Sequence, residues 1–270
     1  MILNQLVIIY KGFVFLTNMN KYEDLIIKET ILPYNVKYWI CENPFPSSNL
    51  NIIEEYVGKV PYKFEKNIYK NPISVNMSNN ELDNIPFIND ISIFMLTFFK
   101  KTFESKYKPI IKEHKLKPNI IYWINKYSDK VQKTSNKNVF IPHIDGKLGI
   151  VANLWLSKDL SSSCTKLFKY DGKITVNEME DNDGNVMRDK VNFSFSNHND
   201  KMLKNRNEII SYTSWSNLDN EEFKNHGFEY LGGVPSIYSY MSIYEINTPH
   251  IPYIPPEVSE RNAIAIVLCF

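Results

Sequence analysis

The sequence predicts a mainly-β α+β fold, an antiparallel sandwich or barrel with helices packed on one side. Three observations carry this. The first half holds a long run, "FINDISIFMLTFFKKTFESKYK" (87–108), whose apolar residues recur at three- and four-residue spacing, the signature of an amphipathic helix. From residue 118 onward the pattern turns to short apolar runs separated by polar turns, which is how antiparallel strands read. Finally, the nine glycines form no GxGxxG, GxxxxGK[ST] or GxSxG and the chain has no repeat, so phosphate-cradling, serine-hydrolase and solenoid readings have no support.

The elements follow in order. "MILNQLVIIYKGFVFL" is apolar but interrupted by Lys11 before it could span a bilayer, and it lacks a basic leader, so it reads as a first strand or hairpin. Residues 20–31 are a candidate helix. Residues 36–45 read as a strand ending at Pro44. "SSNLNIIEEYVGKV" reads as a helix to about Val57 with Ser48 as its N-cap. After an Asn- and Pro-rich loop comes the long helix. Strands are expected over 118–128, 149–157, 191–196, 209–215, 236–246 and 262–270. Residues 165–176 read as a hairpin turning at Asp171-Gly172. "LDNEEFKNHGF" is a short helix candidate. No linker or shift of composition demands two domains. The expectation is a single unit over 1–270, with N-terminal α/β elements (1–87) packed on a core (88–270) that carries a polar insert (176–235).

Composition narrows the function. A hydrophobic fraction of 43% with 14% aromatics fits a packed core. A formal net charge of +1 gives no electrostatic footprint for nucleic acid or an anionic membrane. Three dispersed cysteines with no CxxC point to free thiols in a reducing cytoplasm rather than a disulfide framework. Arginine is scarce: only Arg188, Arg206 and Arg261 stand among 31 basic residues, so the default cation is lysine and a well-placed arginine carries information.

The segment "NVFIPHIDGKLGIVANLWLS" (138–157) puts His143 and Asp145 one residue apart, between two apolar runs. Alternate residues of an extended strand share a face, so the pair can aim an imidazole and a carboxylate at one point. A surface turn explains such a pair equally well. A facial triad for non-haem Fe(II) needs a second histidine and leaves three coordination positions open. His250, after a later apolar strand, is the candidate. Arg261 follows eleven residues on and opens the last strand. The chain has a second H-x-D, His198 and Asp200, but it lies in a polar run and reads as a solvated loop. His226 precedes Gly227 at a helix end, and His114 reads as exposed.

These residues resemble the Fe(II)/2-oxoglutarate-dependent oxygenases, whose pattern is H-x-D, a long gap, a second His and an Arg about one strand later. The likeness covers roughly residues 88–270, and "FIPHIDG" is similar to the prolyl-hydroxylase-like branch. The resemblance implies a double-stranded β-helix (jelly roll, cupin-like) with buttressing helices. It implies Fe(II) held by His143, Asp145 and His250, and 2-oxoglutarate held through Arg261, with O2 consumed. Many members carry Ser or Thr two residues after the arginine, where this chain has Ala263; a tyrosine, Tyr127 or Tyr122, is the expected replacement. Because Asp145 is present, the resemblance implies hydroxylation rather than halogenation. The implied substrate is a free amino acid, small metabolite or peptide side chain. The insert reads as a lid or as a solvated decoration, and Phe140, Trp155, Tyr238, Tyr240 and Tyr244 as core. The competing reading is a cupin-like metal-binding or scaffold module without turnover. A zinc hydrolase on the same three ligands would leave Arg261 without a purpose and has no nearby Glu as general base.

Overall fold

The computed structural model describes residues 5–10, 13–18, 25–59, 74–76, 87–128, 144–160, 163–171, 173–177, 192–196, 221, 224, 227–255 and 257–270. Among these, two helices and two main antiparallel sheets form a mainly-β structure. In chain order the elements are β1 (Gln5–Tyr10), β2 (Phe13–Asn18), β3 (Ile27–Ile31), β4 (Lys37–Cys41), α1 (Ser47–Lys59), β5 (Ser74–Asn76), α2 (Phe87–Glu113), β6 (Asn119–Ser128), β7 (Gly149–Trp155), β8 (Cys164–Tyr170), β9 (Lys173–Asn177), β10 (Asn192–Ser196), β11 (Phe228–Pro235), β12 (Met241–Glu245), β13 (His250–Tyr253) and β14 (Glu260–Cys269). A seven-stranded sheet runs β3-β4-β12-β7-β14-β6-β5 and a three-stranded sheet β11-β8-β13. The pairs β1/β2 and β9/β10 form two separate ribbons.

The central strands of the large sheet, β7, β12 and β14, are buried on both faces, and strand parity decides which side chain goes where. Ile150, Ala152 and Leu154 of β7, Met241 and Ile243 of β12, and Ile264, Ile266 and Leu268 of β14 join a core with α1 and α2. The spacing of Ile91, Phe94, Met95, Phe98, Phe99, Phe103 and Tyr107 puts them on the buried side of α2, and Trp39 meets Phe98 and Phe103 edge-on at 5.6 and 5.1 Å. The residues of opposite parity, among them Val151, Tyr244 and Val267, face Leu167 and Val234 of the small sheet. From β11 to β14 the chain changes sheet at every connection, so each short loop crosses one end of the space between the sheets. That interior is where the site lies. No helix among the described residues is long and apolar enough to cross a membrane.

Three expectations are corrected. Residues 27–31, expected to be helical, form the edge strand β3. Its Ile27, Thr30 and Ile31 are β-branched, and Glu29 bridges to Lys37 (2.8 Å) and Trp39 (2.9 Å) across the strand pair. Ser48 lies inside α1, which begins at Ser47, and the first turn is closed instead by the Pro46 carbonyl accepting from Asn49 and Leu50. The segment 165–176 is no simple hairpin: β8 pairs with β11 and β13, and β9 pairs with β10. The strand expected at 209–215 lies outside the described residues. The first two strands pair as the expected hairpin. Cys41, Cys164 and Cys269 are free, and burial pushes the Cys41 thiol up to about 12.

Gly149 opens β7 at φ +142°, and a Cβ there would overlap the Leu268 carbonyl oxygen of β14. Gly149→Ala is therefore expected to lower unfolding free energy by about 3 kcal/mol, read from urea melts, because it combines a forbidden backbone with a broken strand junction.

Candidate functional site

Asp145 sits in the segment leading into β7. Its backbone N–H donates to the Ile246 carbonyl at 3.2 Å, and a Cβ on Gly146 would run into the Ile246 side chain. The glycine of "HIDG" thus lets this segment lie directly on the β12–β13 turn. That turn closes through Thr248 N–H to Glu245 (3.0 Å) and delivers His250 as the first residue of β13, opposite Leu167. The outcome is that His250 Nε2 stands 3.3 Å from Asp145 Oδ2, with the two side chains 6% and 17% exposed.

The other ring nitrogen defines the chemistry. His250 Nδ1 lies 3.0 Å from the Thr248 carbonyl oxygen, which can only accept, so Nδ1 carries a hydrogen. In the neutral ring the Nε2 lone pair then faces a carboxylate oxygen. Two lone pairs at this distance require a cation between or beside them. A proton suffices and makes an ion pair; a divalent metal also suffices, and the carbonyl-anchored Nδ1–H is the usual second contact of a metal-bound imidazole. The donor set of one imidazole and one carboxylate fits a metal such as Fe(II). His143, two residues before Asp145, lies outside the described residues, as do Phe140, His198, Asp200 and His226. Among the described residues no group of three metal-ligating side chains occurs.

Arg261 is 7% exposed at the start of β14. Its guanidinium lies over the Trp155 ring, 4.3 Å from the ring centre, and its Nε has no hydrogen-bond partner. No described carboxylate pairs with it. Burial lowers its pKa to about 10, partly opposed by the neighbouring Cys164 and Tyr244, so it is a cation at neutral pH. A desolvated guanidinium with an unused donor has the charge and geometry to pair with a carboxylate.

Tyr244 links the two halves. Its ring packs on His250 with centroids 5.0 Å apart. Burial, and then the Asp145 carboxylate, push its hydroxyl pKa far up, while a hydrogen bond from Asn153 and the Arg261 charge oppose this; the phenol keeps its proton and can donate. Asn153 lies on β7 opposite Ser242 of β12, and Ser242 Oγ accepts the Trp155 indole N–H at 3.0 Å. Asn153, Ser242 and Tyr244 make a polar band in an otherwise apolar interior. Its signal in the sequence is the lone Asn within "GIVANLW".

The structure therefore brings together Asp145, His250 and, through Tyr244, Arg261. It does not bring Tyr122 there. Tyr122 shares its parity with Ile120 and Ile124, faces the helices, and its hydroxyl is bonded to Ser92 of α2. Tyr127 stands opposite Arg261 in the β6–β14 register. His114 is exposed, as expected.

No family model matches the chain, and no curated protein matches it. Among solved structures it is similar to a prolyl 4-hydroxylase from Phytophthora capsici, with a TM-score of 0.43 and 8% identity over 86% of this chain. The chain spans 58% of the length of that protein. It is also similar to HygX from Streptomyces hygroscopicus, solved with nickel and 2-oxoglutarate bound, with a TM-score of 0.44 and 9% identity over 86% of this chain and 82% of that one.

Metal and proton are told apart by titration with Mn(II). His250→Ala and Asp145→Ala are each expected to abolish stoichiometric uptake, whereas Tyr122→Phe is expected to leave uptake intact and cost only about 1 kcal/mol of stability for the lost Ser92 contact. Uptake unaffected by both ligand substitutions would make the pair a plain ion pair.

Proposed function

We propose that this protein is an Fe(II)/2-oxoglutarate-dependent dioxygenase that hydroxylates a free amino acid, small metabolite or peptide side chain. The observation that carries the reading is Arg261, a buried guanidinium with an unused Nε donor, on the same interior as the Asp145–His250 pair. A metal scaffold without turnover has use for Asp145 and His250 but none for a desolvated cation deeper in the fold.

In this reading the alternating sheet-to-sheet path is a double-stranded β-helix and the chain forms one domain buttressed by α1 and α2. His143 completes the ligand set with Asp145 and His250. When bound, iron supplies open coordination positions and reducing electrons for O2. Arg261 takes the distal carboxylate of 2-oxoglutarate as a two-point partner and fixes the length of the bound acid relative to the ligand pair. Ala263 offers no hydroxyl beside it; the protonated Tyr244 hydroxyl, held by Asn153, is the interior donor available, and Tyr127 stands opposite Arg261 in register. The Trp155 ring and the apolar residues around it keep water from the carboxylate, which strengthens the pairing. The balance is that 2-oxoglutarate, O2 and R–H give succinate, CO2 and R–OH. One oxygen atom goes to succinate and the other to the product. The setting proposed is the cytoplasm, with a small-molecule or peptide partner and no nucleic acid.

The test combines turnover with stability. Wild-type protein supplied with Fe(II), 2-oxoglutarate and O2 is expected to form succinate; its absence with a metal-loaded protein favours the scaffold. Arg261→Met is expected to abolish it. Without ligand, that substitution should raise unfolding free energy by about 1–4 kcal/mol, because an apolar side chain replaces a buried charge that no described carboxylate pairs with. The melting-temperature rise that 2-oxoglutarate gives the Mn(II)-loaded wild type should vanish in the variant. A variant that is less stable than wild type yet still responds to 2-oxoglutarate would remove Arg261 from the site.

A further inference from the structure

A cleft of about 550 Å³ opens beside the end of β7, lined by Lys158, Leu160, Ser163, Cys164, Tyr230 and Tyr238 among others. It lies at the end of the interior where β7, β11 and β13 finish and β8, β12 and β14 begin, as the pairs Ala263–Trp155, Met241–Leu154 and Tyr253–Cys164 fix. Asp145 and His250 lie at the opposite end, where Glu245 pairs with Ile150 and Cys269 with Gly149. Two of the residues lining the cleft, Leu160 and Cys164, lie next to the surroundings of Arg261. Leu160 packs on Trp155 and Ala263, and Trp155 carries the guanidinium on its ring. Burial raises the pKa of the Cys164 thiol, and Arg261 lies close enough for its charge to oppose that rise.

We propose that this cleft is a second mouth of the interior, through which the dicarboxylate bound by Arg261 comes and goes past Leu160, leaving the Asp145–His250 mouth to the molecule being oxidised. The proposal rests on the functional reading above. Its electrostatic argument is direct. A dianion approaching through the cleft meets exposed Lys158, the one charged side chain among the described lining residues, and then the guanidinium. Lys166, on the neighbouring β8, adds positive charge over the Tyr253 ring at 4.6 Å. Leu160, 4% exposed, is all that the described packing places between the cleft and the Trp155 ring.

A port has a kinetic signature that a binding site lacks. Substituting a gate changes association and dissociation by the same factor and leaves Kd alone, whereas substituting a contact changes Kd. The experiment is stopped-flow tryptophan fluorescence of the Mn(II)-loaded protein mixed with 2-oxoglutarate. Leu160→Trp is expected to slow both rate constants by a matching factor of about ten, and Leu160→Ala to raise both together. Lys158→Glu, a solvent-exposed change that does not threaten folding, should lower the association rate constant at least about threefold at low ionic strength, and the deficit should disappear in high salt. Association rates unchanged in Lys158→Glu and Leu160→Trp, or a Kd altered with dissociation unaffected in Leu160→Trp, would overturn the second mouth while leaving the functional reading intact. A metal-loaded wild type that binds no 2-oxoglutarate at any concentration would overturn both.

Discussion

The burial of the Arg261 guanidinium over Trp155 is the constraint around which the interior is arranged. Among the described residues no carboxylate pairs with this guanidinium; desolvating such a cation costs several kcal/mol, and the face of an indole returns only about 1–2 of them. The ring must therefore be held where it can act. Its N–H is fixed by Ser242, which sits opposite Asn153 in the β7–β12 register, and Asn153 in turn holds the Tyr244 hydroxyl. Each of these polar residues stands on the inward parity of a strand whose other parity is apolar apart from Glu245 at the end of β12. The three central strands thus carry two patterns at once: a continuous hydrophobic face towards α1 and α2, and a mixed face that ties the cation to the His250 ring.

Rigidity comes from the helix side. Phe94, Phe98, Phe99, Phe103 and Tyr107 stack along α2 and against Trp39, and Glu245 at the end of β12 accepts from both Tyr107 and Lys106. Glu245 also begins the turn that delivers His250. The outer layer therefore anchors the turn that leads to the Asp145–His250 pair. Helix packing and the geometry of that pair meet in Glu245.

What the sequence revealed and what it hid follow the same logic. Asp145, His250 and Arg261 were legible because their chemistry is rare in this chain: few histidines, fewer arginines, and a glycine where the backbone must pass under Ile246. The long helix and the strand-rich second half were legible from period. The edge strand β3 was not, because its apolar residues suit either period and the decision is made by pairing with β4. The hairpin at Asp171-Gly172 misled because turn chemistry says nothing of which partners a strand finds elsewhere. Tyr122 was chosen for its hydroxyl alone. Its parity, shared with Ile120 and Ile124, was visible, but which parity of β6 faces inward is fixed only by the long register with β14. Tyr244 was read as core, and it is core; its second role needed Asn153 and His250 beside it.

The identity of the buried cation is itself informative. This chain places lysine almost everywhere that it needs positive charge. A lysine at 261 would start about two pKa units below an arginine, carry its charge on one nitrogen, and keep a narrower margin of protonation under the burial that takes Arg261 to about 10. Arginine holds its charge through the same burial, and its guanidinium carbon lies over the Trp155 ring while Nε stays unused. Fold stability alone would favour an apolar residue here. A permanent charge over an indole face and a buried donor without a partner are what an incoming carboxylate requires, and the proposed function rests on them.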